Sequence, residues 1–220
     1  MSAALAVLWK DLLSEWRSRD RVISMLLFSL LVVVVLHFAL PPDAGSTLRA
    51  GTAGLLWVAY VFAAVLGMNR SFALELENEA LSGLALAPAD RGYVYLGKAA
   101  ASFVLLAAVQ AATAFAFALA FDVALLPVAA RFAGIAALGG LGLSAIGTLF
   151  AAVAVRTRQR EVMLPLLLLP VLVPLLLGAV RATAALLDGD GIGAPLRLLA
   201  VSDAIYLIVS FVLFDFVLDE

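Results

Sequence analysis

Residues 22–40 form an apolar run nineteen residues long, and five comparable runs follow it along the chain. A helix needs about 20 predominantly apolar residues to cross a hydrocarbon core of about 30 Å. It also satisfies its own backbone hydrogen bonds, as any segment surrounded by lipid must. Closed barrels meet that demand with short strands that alternate polar and apolar residues, a pattern this sequence lacks. Composition agrees: 65% of residues are hydrophobic and 14% charged, against about 45–50% and 25% in soluble domains. The expected fold class is an all-α integral membrane protein, a single membrane domain over residues 1–220. Its six transmembrane helices are expected at 22–40, 50–68, 99–121, 132–155, 162–180 and 201–218.

The last span is the least regular, because Asp203 and Asp215 fall inside it. The stretch before it, 181–200, mixes Gly189, Gly191, Gly193 and Pro195 with apolar residues. It reads as a loop with room for a short re-entrant or interfacial segment. Lys10, Asp11, Glu15 and Arg17 break up the first apolar stretch and no small-residue cleavage pattern follows, so the first span reads as retained rather than as a signal peptide.

Orientation follows from Lys and Arg in the short flanks, which favour the cytoplasmic side. Lys10, Arg17, Arg19 and Arg21 precede the first span; Arg70, Arg91 and Lys98 lie between the second and third; Arg156, Arg158 and Arg160 lie between the fourth and fifth. The opposite side holds Arg49, Arg131, Arg181 and Arg197. Ten against four places both termini and the 69–98 connection in the cytoplasm.

Ahead of the first span, Leu5, Leu8, Trp9, Leu12, Leu13 and Trp16 recur at helical intervals, with Lys10, Asp11, Ser14, Glu15 and Arg17 elsewhere around the wheel. This predicts an amphipathic helix over 1–21 in the cytoplasmic interface, with its two Trp rings at headgroup depth. Small residues predict close helix packing in two rows: Ala108, Ala112, Ala116 and Ala120 in the third span, and Ala136, Gly140, Ser144 and Thr148 in the fourth. Pro165, Pro170 and Pro174 each remove a backbone donor from the fifth and invite a bend.

Catalytic constellations are scarce. No phosphate-cradling Gly-x-x-x-x-Gly-Lys-Ser/Thr loop occurs, so ATP hydrolysis is not expected of this chain. Gly140-Leu141-Gly142 imitates a dinucleotide fingerprint but lies inside an apolar span, where it reads as helix packing. The chain has no Cys and a single His, His37, which excludes disulfides, thiolate sites and multi-histidine metal centres. Gln110 falls near the middle of the third span, whereas Asp122 and Asp215 lie close to span ends where water reaches them. No chain of acids crosses the membrane, which argues against a proton- or sodium-coupled carrier.

The 69–98 connection concentrates the charge. Glu75, Glu77 and Glu79 are spaced by two, which spreads them around a helix rather than converging them on one point, and a solvated acidic face follows. Leu74, Leu81 and Leu84 recur at near-helical spacing before Pro88 and Gly92 punctuate the element. A short helix, apolar on one side and suited to a groove on another protein, is the result.

The run Asn69-Arg70-Ser71-Phe72-Ala73-Leu74-Glu75, continuing through Glu77-Asn78-Glu79-Ala80-Leu81 to Leu86-Ala87-Pro88 and Asp90-Arg91, closely resembles the B subunit family of the cytochrome c maturation system. Trp9-Lys10-Asp11-Leu12 and Glu15-Trp16-Arg17-Ser18-Arg19 resemble that family's entry, and Tyr95-Leu96-Gly97-Lys98 its return into the membrane. The resemblance implies an ABC-2, type V exporter-like permease in the bacterial inner membrane. Trp9, Lys10, Leu12, Trp16 and Arg17 would belong to its interfacial elbow helix, and Asn69, Arg70, Ser71 and Phe72 to the family motif. Glu75, Glu77, Asn78, Glu79, Leu81, Leu84, Leu86, Pro88, Asp90 and Arg91 would form a coupling segment on a separate cytoplasmic ATPase. The other implied partners are a haem-handling membrane subunit, a small single-span subunit, a periplasmic haem chaperone, the lipid bilayer and a second permease copy. ATP would enter through the partner, haem would be the cargo of the complex, and no metal or nucleic acid is expected. The Leu-x-Leu-x-Pro connection is shared by other type 2 permeases, so export of a lipid-linked sugar or drug, or a scaffold role without transport, stays open.

Overall fold

Apolar length sets the architecture. A computed structural model of the chain describes residues 3–39, 47–77, 91–155, 157 and 160–219. Among them run α1 (Ala3–Ser18), α2 (Asp20–Ala39), α3 (Thr47–Glu77), α4 (Arg91–Ala120), α5 (Ala129–Val155), α6 (Arg160–Asp188) and α7 (Gly193–Asp219), with one 3-10 turn at Leu126–Val128. No strand occurs among the described residues. The six helices α2 to α7 are each long and apolar enough to cross a membrane, as the sequence predicts.

Helix α5 is the hub, packing against α3, α4, α6 and α7. Its glycines make this possible. A Cβ on Gly139 would collide with the Trp57 ring, one on Gly142 with Leu175 and Asp203, and one on Gly147 with Met68. The predicted row Ala136, Gly140, Ser144 and Thr148 is buried throughout. The companion row in α4 is not: Ala108 and Ala112 face outward, and Ser102, Leu106, Val109, Thr113 and Phe117 form the packed side instead. Small size permits close approach but does not by itself select the facing side.

Helix α6 passes through Pro165, Pro170 and Pro174 without interruption. Leu164, Leu168, Leu172, Leu175, Ala179, Ala182 and Leu186 form its buried stripe at three- and four-residue intervals. Pro170 and Pro174 lie on the exposed side, so the rings do not disturb that seam.

Two boundaries differ from the sequence reading. The 181–200 stretch is no loop: α6 continues to Asp188, and only four residues separate it from α7. Arg181, Ala182, Ala184, Ala185, Leu186 and Leu187 are all good helix formers, and Thr183 alone is not. Gly189, at φ +80°, supplies the left-handed stop, and Pro195 falls in the first turn of α7, where no intrahelical donor is lost. Likewise α3 and α4 extend through the polar residues 69–77 and 91–98. At 1.5 Å per residue, α3 is about 46 Å long and exceeds a bilayer core by several turns. Polarity there marks where the apolar segment ends, not where the helix ends.

Candidate functional site

Among the described residues, those of the predicted elbow helix lie where α1 packs on α4, beside the described ends of the 69–98 connection. Helix α1 meets α4 along Ala4, Val7 and Asp11, a stripe at three- and four-residue spacing. Gly97 brings the two helices together: a Cβ there would lie 2.6 Å from the Ala4 carbonyl oxygen and 2.8 Å from Val7 Cβ. Beside it, Lys98 Nζ is 3.6 Å from Asp11 Oδ2, with side chains only 3% and 10% exposed, and Lys10 Nζ pairs with Asp11 Oδ1 at 3.0 Å. Four residues on, the Val22 amide donates to Glu15 Oε1 at 2.8 Å. Glu15 thereby satisfies one of the free donors in the first turn of α2. Arg19, at φ +56°, is the left-handed joint between the two helices.

The three cations of the 69–98 connection each reach a different helix. Arg70 pairs with Asp20 of α2 at 3.3 Å. Arg91 donates to the Asp215 carbonyl of α7 at 3.2 Å. Lys98 engages α1. Nearby, the buried Arg21 of α2 donates to Ser102 Oγ of α4 at 3.0 Å. The ends of the connection are therefore fastened to α1, α2 and α7. The Arg70 pair is exposed and contributes about 0–1 kcal/mol, whereas breaking a buried pair such as Lys98–Asp11 costs about 3–5 kcal/mol.

Of the predicted coupling residues, Glu75 and Glu77 lie on the last turns of α3 and Arg91 opens α4, and Phe72 of the family motif also lies on α3. Asn69 and Ser71 are half-buried and Arg70 is exposed. Asn78, Glu79, Leu81, Leu84, Leu86, Pro88 and Asp90 lie outside the described residues. In α1, Trp9, Lys10, Trp16 and Arg17 are exposed and Leu12 is half-buried. The amphipathic helix is present, but its protein-facing side carries the acids, and its Trp and Leu stripe faces away.

Sequence reasoning missed the polar contacts inside the bundle. Ser29 and Thr113 share a hydrogen bond of 2.8 Å, Trp57 Nε1 donates to Thr183 Oγ1 at 2.9 Å, and the Tyr60 hydroxyl donates to the Gln110 carbonyl at 3.0 Å. Tyr95 donates to the Ala145 carbonyl at 3.1 Å, and Tyr206 to that of Val171. Their signal was polar residues in apolar spans, each of which needs a partner where water is absent. Asp203 is also buried, against the gap left by Gly142. His37 is exposed and makes edge contacts with Phe38 and Phe121, and Asp122 and Asp215 are exposed. No group of three or more metal-ligating side chains occurs among the described residues.

Comparison with known proteins adds a family. The model of the CcmB protein family matches residues 2–217. "Heme exporter protein B" of Rhodobacter capsulatus is 34% identical over 177 residues, covering 80% of this chain and 79% of that protein. The protein of the same name from Paracoccus denitrificans is 34% identical over 185 residues, covering 82% and 83%. That of Bradyrhizobium diazoefficiens is 27% identical over 214 residues, covering 96% and 94%.

Proposed function

The chain belongs to the CcmB protein family, and from that premise we propose that it is the permease subunit of a haem export complex serving cytochrome c maturation. It contributes the membrane path and no catalytic group of its own. A separate cytoplasmic ATPase docks on the coupling residues Glu75 to Arg91 of the 69–98 connection, and its ATP-driven movement drives haem delivery to a periplasmic chaperone or release of the loaded chaperone. The haem-handling subunit, the small single-span subunit and a second permease copy complete the assembly in the bacterial inner membrane.

One observation supports coupling above all: the cations of the connection grip three different helices. A displacement of the 69–98 connection pulls on α3 and α4 directly, since its described flanks are continuations of those helices. Through Lys98–Asp11 and Arg91 it also pulls on α1 and α7. Packed helices move as rigid bodies, so such a pull is transmitted as a shift of elements rather than absorbed locally.

Membrane vesicles containing the whole complex, with and without this chain, test the reading. ATP-dependent appearance of haem on the chaperone, or ATP-dependent release of the loaded chaperone, is expected only when the chain is present. Equal loading and equal release in its absence would contradict the proposal, and a dependence of either event on the chain but not on ATP would remove the coupling role.

A further inference from the structure

Helix α1 sorts its charges by side. Asp11 and Glu15 are turned into the protein, with side-chain exposure of 10% for Asp11 and residue exposure of 7% for Glu15. Arg17 and Arg19 are exposed and make no ion pair among the described residues. Between these extremes runs an outward stripe of Leu5, Trp9, Leu13 and Trp16, in which Trp9 is 65% and Trp16 74% exposed. The Arg19 guanidinium carbon is 5.6 Å from the centroid of the Trp16 ring, held there from a left-handed backbone position. Asp20, the exposed acid beside them, is already engaged by Arg70.

That outward face therefore combines bare aromatic and aliphatic surface with guanidinium charge, and presents no uncompensated carboxylate. Water is a poor match for two bare indoles, and hydrocarbon a poor match for two arginines. The headgroup layer of a bilayer suits both, and the sign of the charge selects among headgroups. We propose that the outward face of α1 is a docking surface for anionic phospholipids, enriching phosphatidylglycerol-type headgroups over zwitterionic ones. Arg17 and Arg19 supply the charge, and Leu5, Trp9, Leu13 and Trp16 seat the adjoining acyl region. The proposal rests on the membrane-spanning reading of the chain and is independent of the cargo.

The chain reports on this surface itself. Of its three Trp residues, Trp57 is 1% exposed and bonded to Thr183, so quenchers in the lipid reach only Trp9 and Trp16. The full chain is reconstituted into vesicles containing brominated phosphatidylglycerol or brominated phosphatidylcholine, and Trp quenching is read against mole fraction. A basic residue near the surface favours anionic lipid by about fivefold, so with two arginines a preference of roughly fivefold to twenty-five-fold for phosphatidylglycerol is expected. Arg17→Gln with Arg19→Gln abolishes the preference, whereas Arg17→Lys with Arg19→Lys retains it. Equal quenching by the two lipids, an undiminished preference in the glutamine variant, or its loss in the lysine variant would each overturn the proposal.

Discussion

Asp11 illustrates how one side chain holds distant parts of this chain together, because its two oxygens engage Lys10 and Lys98 from different helices. Asp11→Asn leaves the buried Lys98 ammonium facing a neutral amide and lowers stability by about 3 kcal/mol. Adding Lys98→Met removes the charge itself, so the double variant is expected to be more stable than the two single costs added together. Denaturation of the three variants in detergent checks this; additive losses would show that the pair is not coupled. Both residues stood out in the sequence, Asp11 in the entry and Lys98 in the return to the membrane. Their pairing did not, because periodicity reports which side of a helix is packed and not which residue lies across from it. Trp57 and Thr183, 126 positions apart, make the same point.

At the scale of elements, the six spans were legible because length and hydropathy alone determine them. What misled was charge and glycine near a span end: Arg181 and the glycines of 181–200 suggested a loop, yet α6 runs to Asp188. The apparent independence of the 69–98 connection also proved partial, since its flanks are continuations of α3 and α4. Helix α5 shows where packing is tightest. Gly142→Leu would drive a side chain into Leu175 and Asp203, whereas a Cβ on Gly134 meets nothing within 4 Å. Gly142→Leu is expected to cost at least about 1–3 kcal/mol through overpacking, and Gly134→Leu to leave the melting temperature nearly unchanged. Equal behaviour of the two variants would contradict the close packing assigned to α5.

In the whole molecule, six apolar spans and a connection whose ends are fastened to several helices belong to a member of the CcmB family. The basic flanks predict a cytoplasmic α1–α2 junction and 69–98 connection, with the α6–α7 turn on the opposite side. The chain has no Cys, so single substitutions report topology cleanly. Ser18→Cys and Ser71→Cys are expected to react with an impermeant maleimide only from the cytoplasm, and Gly191→Cys only from the other side. Labelling of all three from one side would contradict the arrangement. Family membership was legible in the Asn69-Arg70-Ser71-Phe72 entry, while the grip of Arg70, Arg91 and Lys98 on separate helices emerged only in three dimensions. The most direct test of the account is recovery of the ATPase subunit with affinity-tagged native chain, Leu81→Arg and Leu84→Arg from membranes in which all three insert equally. Recovery is expected with the native chain and loss with both variants; undiminished recovery with both would contradict docking of the ATPase on the 69–98 connection.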